Sequence, residues 1–306
     1  MKTRAMRFGR YSVQLSSEDK ILFPKTGTYS AITKGELIAY YRAIAPHMLA
    51  LMKDHPITLH RFIEGITEEG FYQKNASDYF PSWIPTQPVE NSDGSITNYV
   101  LCDKAATLVY LANQYCITFH QWLSTTAHIN TPNRLIFDLD PGAAKNSFKT
   151  VCTTALELKA LLEEHHLKPF VMTTGSRGLH VTVPLKPIHD FDDVREFARK
   201  IAGQLAAKHP TLLTNEIRKE KRQGRLFIDV MRNAFGQTAV TPYAVRALPG
   251  APIATPLHWH ELNDRTLTPT KYTIHNLLNR IDQVDDPWVT ISRYKGVISG
   301  ISQAAD

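Results

Sequence analysis

The stretch Arg134-Leu135-Ile136-Phe137-Asp138-Leu139-Asp140-Pro141-Gly142 sets the reading of the whole chain. Its side chains alternate as in a β-strand, so Leu135, Phe137 and Leu139 share one face while Ile136, Asp138 and Asp140 share the other. Two carboxylates placed there repel each other, and a hard divalent cation with oxygen ligands is a simple way to hold them together. The other reading keeps Asp140-Pro141-Gly142 as a turn and Asp138 as a partly exposed strand residue. A third acid favours the cation. Asp229 sits in the apolar run Leu226-Phe227-Ile228-Asp229-Val230-Met231, where an unpaired carboxylate is expensive to bury. Its alternative is a buried ion pair with Arg225 or Arg232. Three acids on adjacent strands suit two cations that clamp a triphosphate and activate a hydroxyl for in-line displacement.

Between these acids lies Phe170-Val171-Met172-Thr173-Thr174-Gly175-Ser176-Arg177-Gly178-Leu179-His180-Val181-Thr182-Val183-Pro184, read as strand, glycine-bearing turn and strand. Glycines let backbone N–H groups converge on an anion, and Thr174, Ser176 and Arg177 add donors suited to phosphate oxygens. His180 opens the second strand, where it is placed to bind a phosphate or a reacting group. A lone histidine there is otherwise a structural one.

Helical periodicity fills the intervals. Thr33 with Glu36 forms a capping box before a stripe of Leu37, Tyr40, Tyr41, Ile44, Ala45, Met48 and Leu49. Further helices are expected from near Asp103, from Ser147 to His166, from Asp190, and after Thr270. Strands are expected at 134–140, 170–174, 179–184 and 226–231. Residues 85–101, around Asp93-Gly94, read as a hairpin or a loop. Strands and helices interleave through short connections, so the fold class is α/β or α+β with a mixed sheet. The expected division is an N-terminal unit over 1–130 and a catalytic unit over 131–306, the two packed as one domain.

Composition narrows the function. The 306 residues carry 35 Lys and Arg against 29 Asp and Glu, a net charge of +6 that fits a polyanionic partner. The run Arg218-Lys219-Glu220-Lys221-Arg222-Gln223-Gly224-Arg225 concentrates that charge just before the Asp229 strand. No apolar run approaches the roughly 20 residues a bilayer span needs, and no signal peptide follows the N-terminal basic residues. Three cysteines without metal-ligand spacing read as reduced thiols. A soluble, cytoplasmic protein is expected.

In order, Asp138-Leu139-Asp140-Pro141, Thr174-Gly175-Ser176-Arg177-Gly178-Leu179-His180, Gly224 to Asn233 and Thr241-Pro242-Tyr243-Ala244-Val245-Arg246-Ala247 resemble one family closely. The chain is similar to the polymerase domain of bacterial DNA ligase D, in the archaeo-eukaryotic primase superfamily, from about Asp19 to Leu257. The resemblance implies a primase-like core of mixed and antiparallel sheets flanked by helices, with an RRM-like catalytic module. It implies a template-directed nucleotidyltransferase that fills short gaps in non-homologous end joining and prefers ribonucleotides. Asp138, Asp140 and Asp229 match its carboxylates for manganese or magnesium. Thr174, Arg177, His180, His120 and Arg246 match positions around the incoming NTP or dNTP, and Ser176 joins them from the turn.

By the same likeness, Lys20 and Lys34 match lysines that grip a 5′-phosphate, with Ser17 where Asn is common and Tyr29 to Ile32 as an insertion. Phe71 and Tyr72 match an aromatic pair that stacks on the template, and Arg222 and Arg232 are expected to contact DNA. Residues 88–100 correspond to a loop that helps align broken ends. The implied partners are DNA with gaps, overhangs or 5′-phosphorylated ends, a Ku-type end-binding protein and a DNA ligase, in association with the nucleoid. With no length for ligase or nuclease modules, the chain reads as a stand-alone polymerase or a piece of a longer protein. The competing readings are a non-catalytic DNA-end-binding module, a de novo primase, and an aspartyl-phosphate phosphohydrolase that shares only Asp138 and Asp140.

Overall fold

The chain folds into two units. A computed structural model describes residues 3–91, 93–142 and 148–299. The first unit takes 1–122, 238–254 and 272–285, and the second takes 123–237, 255–271 and 286–306. The sequence suggested a single division near residue 130. The chain instead returns twice to the first unit, because two later segments supply backbone pairing there.

In the first unit, β1 (Thr3–Phe8) and β2 (Tyr11–Ser16) form one antiparallel ribbon, and β3 (Ile21–Phe23) and β4 (Ile32–Thr33) form another. The expected capping box starts α1 (Lys34–Met52): the Glu36 N–H donates to Thr33 Oγ1 at 3.2 Å and the Thr33 N–H to Glu36 Oε2 at 2.8 Å. Leu37, Tyr40, Tyr41, Ile44, Ala45 and Met48 of its stripe are buried. Next come β5 (Pro56–Arg61), β6 (Phe71–Gln73), β7 (Thr86–Glu90), β8 (Ile96–Leu101), α2 (Ala105–Asn113) and β9 (Cys116–Trp122). Residues 85–101 thus form the hairpin β7–β8, although Ser92 lies outside the described residues.

The second unit reads β10 (Arg134–Asp140), α3 (Phe148–Glu164), β11 (Phe170–Thr173), β12 (Leu179–Pro184), α4 (Phe191–Lys208), β13 (Leu213–Thr214) and β14 (Leu226–Asp229). Ser147, expected to open α3, lies outside the described residues. Asp190 caps α4 by accepting from the Asp193 N–H at 2.8 Å, and all five expected apolar positions of α4 are buried. The strands order as β13-β14-β10-β12-β11, with every pairing antiparallel except β13–β14. Its four central strands and two crossover helices give the β-α-β-β-α-β arrangement expected of an RRM-like module. Both helices pack on β10. Leu135, Phe137 and Leu139 are fully buried, whereas the alternate Asp138 and Asp140 keep partial exposure.

After β14 the chain supplies β15 (Thr238–Val240), which pairs with β9 in the first unit, and β16 (Pro256–Leu257), which pairs with β11. The helix expected after Thr270 is a correction. Only α5 (Leu277–Ile281) forms, because the Ile253 N–H takes the Tyr272 carbonyl at 2.8 Å and the Ile274 N–H takes that of Ala251 at 3.2 Å. That edge pairing, with Thr273 bridged to Pro252, keeps 272–274 out of the helix.

The strand expected over 226–231 is corrected too: it stops at Asp229. The side chain of Asn233 takes the place of a strand partner on β10. Its Nδ2 donates to the Ile136 carbonyl at 2.7 Å and its Oδ1 accepts from the Ile136 N–H at 2.9 Å. The chain turns through Met231–Asn233, and Asp229 is left at a strand end.

Candidate active site

Register places the acids in one row. Asp138 of β10 lies opposite Asp229 of β14 on one side and opposite His180 of β12 on the other. Two residues on, Asp140 lies opposite Phe227. His180 is buried, its Nε2 lies 3.6 Å from Asp138 Oδ2, and its Nδ1 has no hydrogen-bond partner among the described residues. Burial pushes the Asp229 carboxyl above the usual carboxylate range, and the neighbouring Asp138 pushes it further. The Met231 N–H, donating to Asp229 Oδ1 at 2.7 Å, and the charges of Arg232 and Arg222 act against that. No salt bridge to Arg225 forms: its guanidinium donates to the carbonyls of Arg222, Pro210 and Lys221.

The turn 174–178 closes over the end of this row. Thr174 and Gly178 bond through their backbones at 3.0 Å, and Thr174 Oγ1 accepts from the N–H groups of Ser176 and Gly178. A Cβ on Gly178 would sit 1.9 Å from the Leu139 carbonyl oxygen, so only glycine lets the turn approach β10 this closely. Gly175 takes φ +64°, which glycine adopts freely. The exposed Arg177 is thereby carried to Asp140, with Nη2 at 3.0 Å from Oδ2.

The donor chemistry suits a hard divalent cation: carboxylate oxygens, a like-charged pair in register, and one acid pushed towards its protonated form. Among the described residues no three His, Cys, Asp or Glu side chains already converge as metal ligands, and Asp140 is engaged by Arg177.

The basic run resolves into two kinds of residue. Arg222 caps its own loop, Nε to the Glu216 carbonyl at 3.0 Å and Nη2 to that of Ile217 at 2.8 Å, with its Cζ 3.6 Å from the Phe227 ring centroid. Arg218, Lys219, Lys221 and, beyond β14, Arg232 are exposed.

The first unit holds the remaining expected residues. The Nζ atoms of Lys34 and Lys20 lie 4.3 and 5.4 Å from the Tyr115 ring centroid. Lys34 is fully buried and donates to the Asn113 carbonyl at 3.1 Å, and burial pulls its ammonium down to about 8. Lys20 pairs with Glu64 at 2.7 Å. Ser17 has φ +51°, a left-handed position that Asn, the residue expected there from the resemblance, tolerates well. Phe71 and Tyr72 are exposed. Tyr72 stacks on His60 with centroids 4.1 Å apart and meets His120 edge-on at 5.6 Å. His60 falls to about 4, from burial first and the Arg246 charge second, so it is neutral at pH 7.

Sequence reading missed three residues that build these sites, Asn233, Tyr115 and His60, and took Gly178 as a turn glycine without its close approach to β10. An amide four positions after the end of β14 and a histidine within β5 were visible signals. Tyr115, with φ +65°, offered none.

Comparison with known proteins shows the family and the fold. The family model described as LigD, primase-polymerase domain, matches residues 33–288. The multifunctional non-homologous end joining protein LigD of Mycolicibacterium smegmatis is 32% identical over 276 residues, 90% of this chain and 35% of that protein. The bifunctional LigD of Bacillus subtilis is 30% identical over 282 residues, 92% of this chain and 44% of that protein. The chain therefore spans less than half the length of either relative. The polymerase domain from Mycobacterium tuberculosis ligase D, solved in complex with DNA, superposes with a TM-score of 0.85 at 28% identity. That match covers 93% of this chain and 99% of the other.

Proposed function

The chain belongs to the LigD primase-polymerase family, and on that premise we propose that it fills short gaps at double-strand breaks by template-directed nucleotidyl transfer. The observation that carries this reading is the row Asp229–Asp138–His180, with Asp140 and the 174–178 turn beside it.

Asp138, Asp140 and Asp229 would hold two divalent cations, manganese or magnesium. Bound there, such ions supply charge neutralisation on a triphosphate and a lowered pKa for a primer 3′-hydroxyl. The protein's own contribution is positioning. Arg177 is exposed on a short turn and already accommodates an anionic oxygen, so it can exchange Asp140 for a phosphate. His180, buried at the end of the row beside Asp138, presents an imidazole to the same anion, and Ser176 adds a hydroxyl at the turn. Thr174 spends its hydroxyl on the turn itself and acts by holding it closed. By the family likeness, His120 and Arg246 of the first unit are also assigned to the incoming nucleotide. Lys20 and Lys34 grip a 5′-phosphate, Phe71 and Tyr72 stack on template bases, and Arg222 and Arg232 bear on DNA, Arg222 by holding its loop. Ribonucleotide preference, action beside a Ku-type protein and a DNA ligase, and nucleoid association belong to the same reading. No described helix is long and apolar enough to cross a membrane.

The test is extension of a primer across a short 5′-phosphorylated gap, with manganese and either ribo- or deoxynucleotides. Templated addition that vanishes in Asp138→Ala/Asp140→Ala supports the proposal. A folded wild type that binds the gap and adds nothing points to an end-binding module instead.

A further inference from the structure

The aromatic pair Phe71–Tyr72 does not stand alone. Arg61 lies over the Phe71 ring, Cζ to centroid 5.5 Å, and its Nη1 donates to the Tyr79 hydroxyl at 3.0 Å. From there the rings continue without a break. Tyr79 meets Phe80 at 5.2 Å between centroids, Phe80 meets Tyr110 at 5.5 Å, Tyr110 meets Trp83 at 6.2 Å, and Trp83 meets Tyr11 at 5.1 Å. Most of these contacts are edge to face, so the rings do not cover one another's faces as a stack would.

Cations attend the far end as well. Arg10 Cζ lies 5.1 Å over Tyr11, and Lys104 Nζ lies 5.2 Å from Tyr11 and 5.9 Å from Trp83. Lys104 also pairs with Asp103 at 2.8 Å, and Asp78 is the acid beside Tyr79. A satellite core would hide its rings, yet Tyr79 is 60% exposed, and Trp83, Tyr11 and Tyr110 are half-buried.

We propose that this ribbon of rings, from Phe71 past Trp83 to Tyr11 and Arg10, is a stacking platform for single-stranded DNA. It would hold the unpaired overhang of a broken end. Bases offer faces to aromatic rings whatever their sequence, while the flanking cations meet the backbone phosphates. The inference rests on the proposed function for the identity of the strand, and it adds a second binding region to the template pair.

The experiment compares binding by the full chain of duplexes carrying a two- or ten-nucleotide overhang, in wild type, Tyr11→Ala/Trp83→Ala and Tyr11→Phe/Trp83→Phe. Wild type should bind the long overhang more tightly than the short one. The alanine variant should lose about tenfold in affinity for the long overhang, the phenylalanine variant should recover most of it, and single-nucleotide gap filling should be unchanged in both. An equal gain from overhang length in wild type and folded alanine variant overturns the platform, as does no gain in wild type. Should the alanine variant fail to fold, quenching of tryptophan fluorescence by oligothymidylate decides. Trp122 and Trp288 are buried but Trp259 is half-buried, so Trp259→Phe serves as the background: quenching should drop when Trp83→Phe is added to it, and undiminished quenching overturns the inference. A ring-dependent gain in a protein that extends no primer removes the proposed polymerase activity and leaves the platform standing.

Discussion

Two charges of opposite sign invite comparison, the partly buried Asp229 in the second unit and the fully buried Lys34 in the first. Burial opposes the charged form of both: it raises the carboxyl of Asp229 and lowers the ammonium of Lys34 to about 8. Each also feels a like charge, Asp138 in one case and Lys20 in the other. They differ in what the fold gives back. Lys34 is solvated by a carbonyl and a ring face and feels the Glu18 charge, whereas Asp229 has one backbone N–H, the charges of Arg232 and Arg222, and a register partner of its own sign. A like-charge pair kept against its own repulsion marks a place built for a ligand of the opposite sign. The acid row calls for cations, and the lysine pair for an anion such as a 5′-phosphate.

The strongest way to break this comparison is at the acid row. Asp229→Asn should lower single-turnover nucleotide addition by about 10²–10³-fold or more, the scale of losing a central electrostatic group. The same change should raise the thermal midpoint in EDTA at neutral pH. An acid whose pKa is raised by folding costs stability as pH climbs from its unfolded value past its folded one, and the amide removes that cost. Added manganese should then stabilise wild type more than the variant. A lower midpoint for Asp229→Asn in EDTA would sink the idea that repulsion is stored there.

Next in size is Gly178→Ala. Its methyl group would meet the Leu139 carbonyl oxygen at 1.9 Å, so the turn must part from β10. A loss of roughly 3 kcal/mol or more in denaturant unfolding is expected, with nucleotide affinity falling alongside. Gly175→Ala, which faces only a left-handed φ, should cost about 1 kcal/mol. Equal effects at the two glycines would show that close approach is not what fixes the turn.

The lysine side is sharpened by pH. Lys34 is charged below about 8 and neutral above it, so preference for a 5′-phosphorylated over an unphosphorylated gap should fade between pH 7 and pH 9. An ordinary lysine would keep that preference to beyond about pH 10. The measurement is the ratio of the two dissociation constants across that range. A flat ratio would remove Lys34 from phosphate binding.

Much of this was legible in the chain, for reasons that differ by element. β10 and β12 could be bounded to the residue because apolar residues alternate with polar ones, with Ile136 the one break, up to an acid in β10 and a proline in β12. The capping residues of α1 and α4 announced themselves through Thr33 with Glu36 and through Asp190. The end of β14 was not legible, because a side chain 97 residues from Ile136, that of Asn233, replaces the missing strand partner. The segment after Thr270 misled in the same way, since long-range pairing with 251–253 overrides its helical spacing. At the site, residue types and order named the acids and the turn. Only the folded register showed that Asp138 stands between Asp229 and His180.

The smallest expected effect separates the two halves of the basic run. Arg222 and Arg225 direct five N–H donors to carbonyls of residues 210–222, so their positive charge serves the loop that flanks Phe227 and, opposite it, Asp140. Arg222→Ala should cost about 1–2 kcal/mol, leaving carbonyls short of donors, and should change the salt dependence of DNA binding little. Replacing Arg218, Lys219 and Lys221 with serine should do the reverse. Stability should hold, and the slope of log affinity against log salt should flatten by up to roughly 0.9 for each phosphate that the removed side chains had neutralised. Binding of a gapped duplex measured at several salt concentrations, beside unfolding of the same proteins, reads both. If Arg222→Ala flattened the slope as much as the triple variant, its guanidinium would be a phosphate ligand, and the division of the run into loop-holding and DNA-holding charges would fail.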